Sequence, residues 1–511
     1  MNKPYYITTA ISYPNGRPHI GHAYEAITAD AIARFQRLSG RNVRFQTGTD
    51  EHGLKMAQKA RELGIEPRAL ADEMSSYFRE MCDRLNISYD RFIRTVEPEN
   101  HRASQALWSA MAASGDLYLD RYEGWYSVRD EAFYDDKELA AGADGVRLSP
   151  QGTAVEWTVE ESWFFRLSKY QQPLIDHITA NPDFIQPDSR RNEVLRFIEG
   201  GLNDLSVSRT SFDWGVEVPG SPGHVMYVWV DALVNYLTGL GYPDSGGDMA
   251  RFWPADLHLI GKDIVRFHTV YWPAFLMSAG LPLPRKVFGH GFLLHKGEKM
   301  SKSIGNVVDP MALADAFGVD QLRYFLLREV SFGQDGSYSE DAIITRCNAD
   351  LANNFGNLAQ RSLSMIAKNC EGRVPAPHSV DPADTALLTA LDDAQASAAA
   401  AMDTLAISNA LEHIWSAMST ANNYFAEAAP WALRKTDPAR ADAVLYTTAE
   451  AVRRLAIMTS WAIPDGSARM LDLLGQPADA RDFAALARAI EPGLALPAPQ
   501  GVFPRIEAAT D

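Results

Sequence analysis

The sequence predicts an α/β protein built on a parallel sheet, interrupted by an insertion and continued by an α-helical bundle. Three observations predict it. Strand and helix patterns alternate over about the first hundred residues, the mark of parallel strands covered by helices. Between about Gly115 and Gly223 that rhythm gives way to Gly-, Asp- and aromatic-rich stretches. From about Asp341 onward one helical pattern follows another.

The elements follow in order. Tyr5–Ile11 reads as a first strand and Tyr13–Pro18 as a turn. A helix is expected from His19 to Ser39, closed by Gly40, because Ile20, Tyr24, Ile27, Ala31, Phe35 and Leu38 recur at three and four residues. Asn42–Gln46 reads as the next strand, with helices up to Leu85 and again over Glu97–Ala113. Tyr122–Tyr126 and Pro150–Gly152 predict short strands and turns. The α/β pattern resumes with strand-like Val225–Val230 and Leu257–Ile260, and a strand–helix unit ends near Phe288. The helical half breaks at Gly372–Pro382, and the tail from Glu491, with four prolines in its first fourteen residues, is expected to pack in extended form.

Composition narrows the classes. With 511 residues, 46% apolar and 22% charged, the chain should fold into several soluble units. Cys82, Cys347 and Cys370 are scattered, which excludes a disulfide framework and a cysteine-built zinc knuckle and leaves buried or idle thiols. The most apolar later stretch, Val225–Leu240, is broken by Asp231 and Asn235, so no membrane span is expected. The opening residues leave no room for a signal peptide, and a cytoplasmic location is expected. A net charge of −17 permits a polyanionic partner without predicting one, because binding depends on local grouping. The basic groups are Arg190, Arg191 and Arg196; Lys296, Lys299 and Lys302; Arg434 and Lys435; Arg453 and Arg454. Taken singly, each reads as a solvated face before an RNA contact.

Two motifs carry chemistry. His19-Ile20-Gly21-His22 stands between the first strand and the first helix, where free N–H groups and the helix dipole attract phosphate. Both histidines can face that phosphate, and Gly21 allows a purine against the backbone. Alone, the motif also reads as surface histidines at a helix start. Lys299-Met300-Ser301-Lys302-Ser303 lies between strand-like Phe292-Leu293-Leu294 and Gly305-Asn306. Two lysines three apart in a polar loop can close on a triphosphate and stabilise charge that builds in a transition state. Alone, they also read as a solvated loop.

Together, the two motifs resemble those of the class I aminoacyl-tRNA synthetases, a likeness that runs from Tyr5 to about Arg505. The resemblance implies a Rossmann-like catalytic domain at 1–114 and 224–292, an inserted connective (acceptor-stem) domain at 115–223, and a KMSKS and stem-contact region at 293–345. It further implies an α-helical anticodon-binding domain at 346–478 and a tail at 479–511 that packs back. His19, His22, Lys299 and Lys302 would act on the phosphates of ATP, Gly21 would face adenine, and Asp263 the ribose. Mg²⁺ would bridge phosphate oxygens.

Within that family the chain is most similar to the methionine-specific members. Methionine is flexible and polarizable, so an aromatic pocket suits it. Ile11, Tyr13, Trp229, Ala232, Leu233, Tyr236, Phe267 and His268 would form that pocket, with Asp50 on the α-ammonium. Asn357, Arg361 and Trp431 would read the anticodon by hydrogen bonding and stacking. The partners implied are L-methionine, ATP and both initiator and elongator tRNA(Met). Where many relatives carry a zinc knuckle, Ser127 and Asp130 replace paired cysteines, so no structural zinc is expected. No appended RNA-binding module follows the helical half, so a monomer is expected. Two alternatives stay open on the residues alone: a non-catalytic tRNA-binding paralogue, which would lose a histidine or lysine of the motifs, and a small-substrate adenylyltransferase, which would not need the helical half.

Overall fold

The computed structural model describes residues 3–507 apart from 130, 131, 143, 144, 296, 297, 300–306 and 379. Strand β1 (Pro4–Ser12) leads through the turn into helix α1 (Ile20–Leu38), then β2 (Asn42–Thr49), α2 (Leu54–Leu63), α3 (Pro67–Arg84), β3 (Arg91–Arg94) and α4 (Pro98–Ala113). β1 is buried along most of its length, as a parallel strand covered on both faces must be. The sheet has six strands in the order β3, β2, β1, Leu257–Gly261, Val287–His290 and Ile185–Gln186. All neighbours are parallel. β1 is central, so the turn after it opens at the C-terminal edge, where α/β sheets bind ligands.

Two cores flank the sheet. One lies under α1 and runs without a break into the helical half. The other lies under α4 and the helices of residues 228–238 and 272–278. The first is crossed by a buried ion pair. Arg323 Nη2 donates to Asp30 Oδ2 at 2.6 Å, and its Nε donates to Ala462 O at 3.1 Å. Burial alone would raise the Asp30 carboxyl, but the charges of Arg323 and Arg34 outweigh it and hold the group below its usual range. Helix α1 is thereby tied to the helical half.

Within 115–223 the chain builds a second, antiparallel sheet around β4 (Leu117–Ser127) and Ala154–Phe165. Ile185–Gln186, from the same span, is the edge strand of the parallel sheet. The strand expected over Val225–Val230 is confined to Val225–Met226, and a helix takes over from Val228 to Thr238. A continuous apolar run does not separate a buried strand from a buried helix; here Val230, Leu233, Val234 and Leu237 are all buried.

Beyond Glu340 the described residues are mainly helical, with long helices over Pro382–Asp403, Ile407–Ala428 and Pro438–Thr459. The tail is extended. Gly493 N and Leu496 N donate to Val374 O and Gly372 O at 2.7 and 2.8 Å, and Phe503 is buried beside Phe355. No helix among the described residues is long and apolar enough to cross a membrane.

Candidate active site

A cavity of about 500 Å³ opens at the C-terminal edge of the parallel sheet. The turn after β1 and the start of α1 form one wall through Ile11, Tyr13, His19, Gly21 and His22. Asp50, just past β2, forms the second. Trp229, Asp263 and Phe267 form the third.

The histidine motif is also the cap of α1. His19 Nδ1 accepts from Gly21 N at 3.1 Å, and His22 Nδ1 accepts from His19 N at 3.1 Å. Accepting at Nδ1 puts the proton of each neutral imidazole on Nε2. Capping therefore sets the tautomer and turns a donor edge outward from the helix start, beside the positive end of its dipole. The rings lie 3.8 Å apart between centroids. A Cβ on Gly21 would come within 2.8 Å of the His19 ring, so a side chain there would push that ring from its capping position. Gly261 is similar: a Cβ there would stand 2.7 Å from an Asp263 carboxylate oxygen.

Trp229 and Phe267 stack almost in parallel, 3.8 Å between centroids at 6°. Phe267 begins a π-helical turn, Phe267–Tyr271, between two short helical segments, a local irregularity that re-aims side chains at functional sites. His268 stands behind the stack. Its Nδ1 lies 3.0 Å from Ile264 O and its Nε2 2.7 Å from the Tyr236 hydroxyl. A carbonyl can only accept, so Nδ1 donates and Nε2 accepts from Tyr236. Burial pushes the His268 pKa down to about 4, leaving the ring neutral. Ala232, Leu233, Tyr236 and His268 are buried behind the wall rather than on it.

Asp50 is 8% exposed, and its backbone N donates to Ser12 O at 2.9 Å, which joins the ends of β2 and β1. Lys299 ends the short strand Glu298–Lys299, paired with Leu293–His295 beside the cavity. Lys302 lies outside the described residues, as does Asp130.

Sequence reasoning missed several wall residues. Glu25 lies one turn beyond His22 on the same helix face, a spacing that could have found it. Its carboxylate lies 2.9 Å from His290 Nε2, at the end of Val287–His290. Burial opposes protonation of His290, but the bond to Glu25 outweighs it and raises the imidazole above its ordinary value. Arg129 and Gln151 reach the cavity from the antiparallel sheet and had no signal of their own. Beside Arg129, Ser127 Oγ lies 2.7 Å from Thr153 Oγ1, which lies 2.8 Å from Ser149 Oγ. Hydroxyls thus hold this pair of turns together.

A second group of predicted residues lies in the helical half. Asn357 and Arg361 are exposed one turn apart on the helix Asn357–Asn369. The Arg361 guanidinium covers the rings of Phe425 and Trp431 at 5.1 and 5.5 Å. Ala429, at φ 44°, turns the chain so that Trp431 stands 46% exposed.

Comparison with known proteins accounts for this pairing of an α/β cavity with a helical half. Residues 5–363 match the family described as tRNA synthetases class I (M), and residues 374–511 match the anticodon binding domain of methionyl tRNA ligase. A methionine–tRNA ligase of Brucella suis is 61% identical over 502 residues, 98% of each chain. The methionyl-tRNA synthetase of Mycobacterium tuberculosis in complex with methionyl-adenylate superposes with a TM-score of 0.96 at 59% identity, over 98% of this chain and 100% of that one. The free-state structure of that enzyme gives a TM-score of 0.90 at 55% identity, over 100% of this chain and 99% of that one. The chain belongs to the methionyl-tRNA synthetase family of class I tRNA synthetases.

Proposed function

We infer that this chain activates L-methionine with ATP and transfers the methionyl group to the 3′ end of tRNA(Met), initiator and elongator alike. The observation that carries the reading is the single cavity in which a phosphate-type helix N-terminus, a carboxylate and an aromatic stack face one another. Methionine lies with its α-ammonium on Asp50 and its side chain against Trp229 and Phe267. Tyr236 and His268 brace those rings from behind and present no charge to the thioether. ATP lies along the start of α1, with its ribose toward Asp263 and its adenine toward Gly21.

In the first step the methionine carboxylate attacks the α-phosphorus in line, forming a P–O bond as the bond to pyrophosphate breaks. His19 and His22 donate from Nε2 to phosphate oxygens as charge builds there, and Lys299 and Lys302 do the same. In the second step a terminal ribose hydroxyl of tRNA attacks the carbonyl of the adenylate, and AMP leaves. Positioning and charge stabilisation carry both steps. Among the described residues no cluster of three His, Cys, Asp or Glu side chains could hold a metal ion. Mg²⁺, bound to ATP as part of the substrate, would offset part of the triphosphate charge.

The same reading assigns 1–114 and 224–292 to catalysis, 115–223 to the acceptor stem, 293–345 to the KMSKS and stem-contact region, and 346–478 to the anticodon, with 479–511 as a brace. Asn357, Arg361 and Trp431 take the anticodon bases. The enzyme acts as a cytoplasmic monomer. Methionine-dependent ATP–pyrophosphate exchange tests the reading. Exchange with methionine is expected. Exchange driven by leucine or cysteine and not by methionine would overturn it.

A further inference from the structure

Two walls of the cavity are joined from behind by a buried histidine–carboxylate hydrogen bond. β2 runs into Asp50, and the chain continues Glu51-His52-Gly53. Opposite, the helix Val228–Thr238 carries Trp229 and, two residues later, Asp231. His52 Nδ1 and Asp231 Oδ2 are paired although 179 residues separate them in sequence. Both residues are closed off from solvent, at 2% and 1% exposure, and neither lines the cavity.

The surroundings leave this contact little freedom. Glu51 is held by Arg94 through two hydrogen bonds of 2.7 and 2.6 Å, and Trp214 Nε1 donates to Glu51 O at 2.7 Å. The Trp214 ring stands edge-on to His52 at 5.3 Å, and His101 packs on it at the same distance. Asn100 Nδ2 donates to Asp231 O at 3.2 Å. The other carboxylate oxygen of Asp231 is buried without a hydrogen-bond partner. The carboxyl group therefore depends on His52, and a buried polar group with one side-chain partner has one favourable geometry.

We propose that the His52–Asp231 pair is a positioning device for methionine, setting the distance between Asp50 and Trp229. The proposal rests on the roles given to those two residues above. An amino acid with an unbranched side chain is measured by the span from its ammonium group to the far end of its pocket. The pair lies immediately behind both ends of that span. A misplacement of about 1 Å in such a span costs up to about a hundredfold in rate. The ATP side is held by different contacts, those of the cap of α1. The two substrates should thus respond differently to loss of the pair.

Pyrophosphate exchange on the full chain, with methionine and ATP varied separately, tests this. His52→Leu is expected to raise KM for methionine about tenfold and leave KM for ATP within about twofold. His52→Asn, whose amide nitrogen can stand where Nδ1 stood, should return KM for methionine to within about threefold of the starting value. The double variant His52→Leu, Asp231→Leu should be no worse than either single, because both remove one interaction. KM values for methionine and ATP that rise together, or a loss of kcat with KM for methionine unchanged, would reduce the pair to general support and overturn the proposal. If His52→Leu does not fold, His52→Gln replaces it. It carries the amide one bond further out and should show the methionine-specific rise that His52→Asn lacks; equal behaviour of the two overturns the proposal. Asp50→Asn and Trp229→Ala separate the two levels. If they raise KM for methionine and loss of the pair does not, only this proposal fails. If they leave it unchanged, the assignment of the methionine site fails, and the proposal with it.

Discussion

The cavity at the sheet edge and the Arg361–Phe425–Trp431 surface are built in opposite ways. In the cavity, the polar groups are committed before any ligand arrives. Backbone capping sets the tautomers of His19 and His22, and His268 is held neutral between Ile264 O and Tyr236. On the helical surface, Trp431 stays 46% exposed, with a guanidinium laid over it. A small, flexible substrate gains from a concave, prepaid geometry. An unstacked base brings its own planar face and needs a platform it can reach. On the roles proposed above, prearrangement is greatest where bonds change.

The contrast can be broken most sharply at the motif. His22→Ala should lower pyrophosphate exchange by about 10²–10³-fold, the usual cost of removing one preorganised donor to a developing charge. It should leave the KM for tRNA in charging within about twofold. A loss in tRNA affinity as large as the loss in exchange would join the two regions into one site.

The reverse substitution is gentler. Trp431→Ala should raise the KM for tRNA about tenfold, since stacking on one aromatic side chain is worth about 1–3 kcal/mol per base. Exchange without tRNA should not change. A fall in that exchange would show that the exposed platform also shapes the cavity.

The smallest effect is expected at the joint between the regions. Asp320 accepts from Gly466 N, and its other oxygen is buried without a partner. Burial raises its pKa from 3.8 to about 6. The folded state then keeps a proton that the unfolded chain releases between pH about 4 and about 6, so stability falls as pH rises through that window. Asp320→Asn keeps the acceptor and removes the titration. Its melting temperature should exceed that of the unsubstituted chain by about 1–3 °C at pH 7.5 and match it at pH 4.5. Parallel melting curves across that range would show that Asp320 does not titrate there.

Legibility differed by element. α1 was plain because its apolar residues keep helical spacing and a glycine follows it. The helix at Val228–Thr238 was not, because its start is apolar on every side and the period is lost. The edge strand Ile185–Gln186 is two residues long and gains its identity only by pairing with Val287 and Phe288. Among site residues, the histidine motif was visible because its four positions are contiguous in sequence and form the cap of α1. Glu25 sits one turn past His22 and was within reach of helical spacing, but its partner His290 lies 265 residues away, and Arg129 and Gln151 come from another sheet, so spacing held no trace of those three.

By itself, then, the sequence determined the α/β class, the start of α1 with its two histidines, the helical second half, and the likeness to the methionine-specific enzymes. Those features are local: period, cap and motif are written within a few turns of chain. Only the tertiary structure decided which predicted residues face the cavity and which stand behind it. It also decided that Glu25 pairs with His290, and that His52 of one wall is tied to Asp231 of another. Such contacts depend on how distant elements pack, and burial then sets their charge and direction.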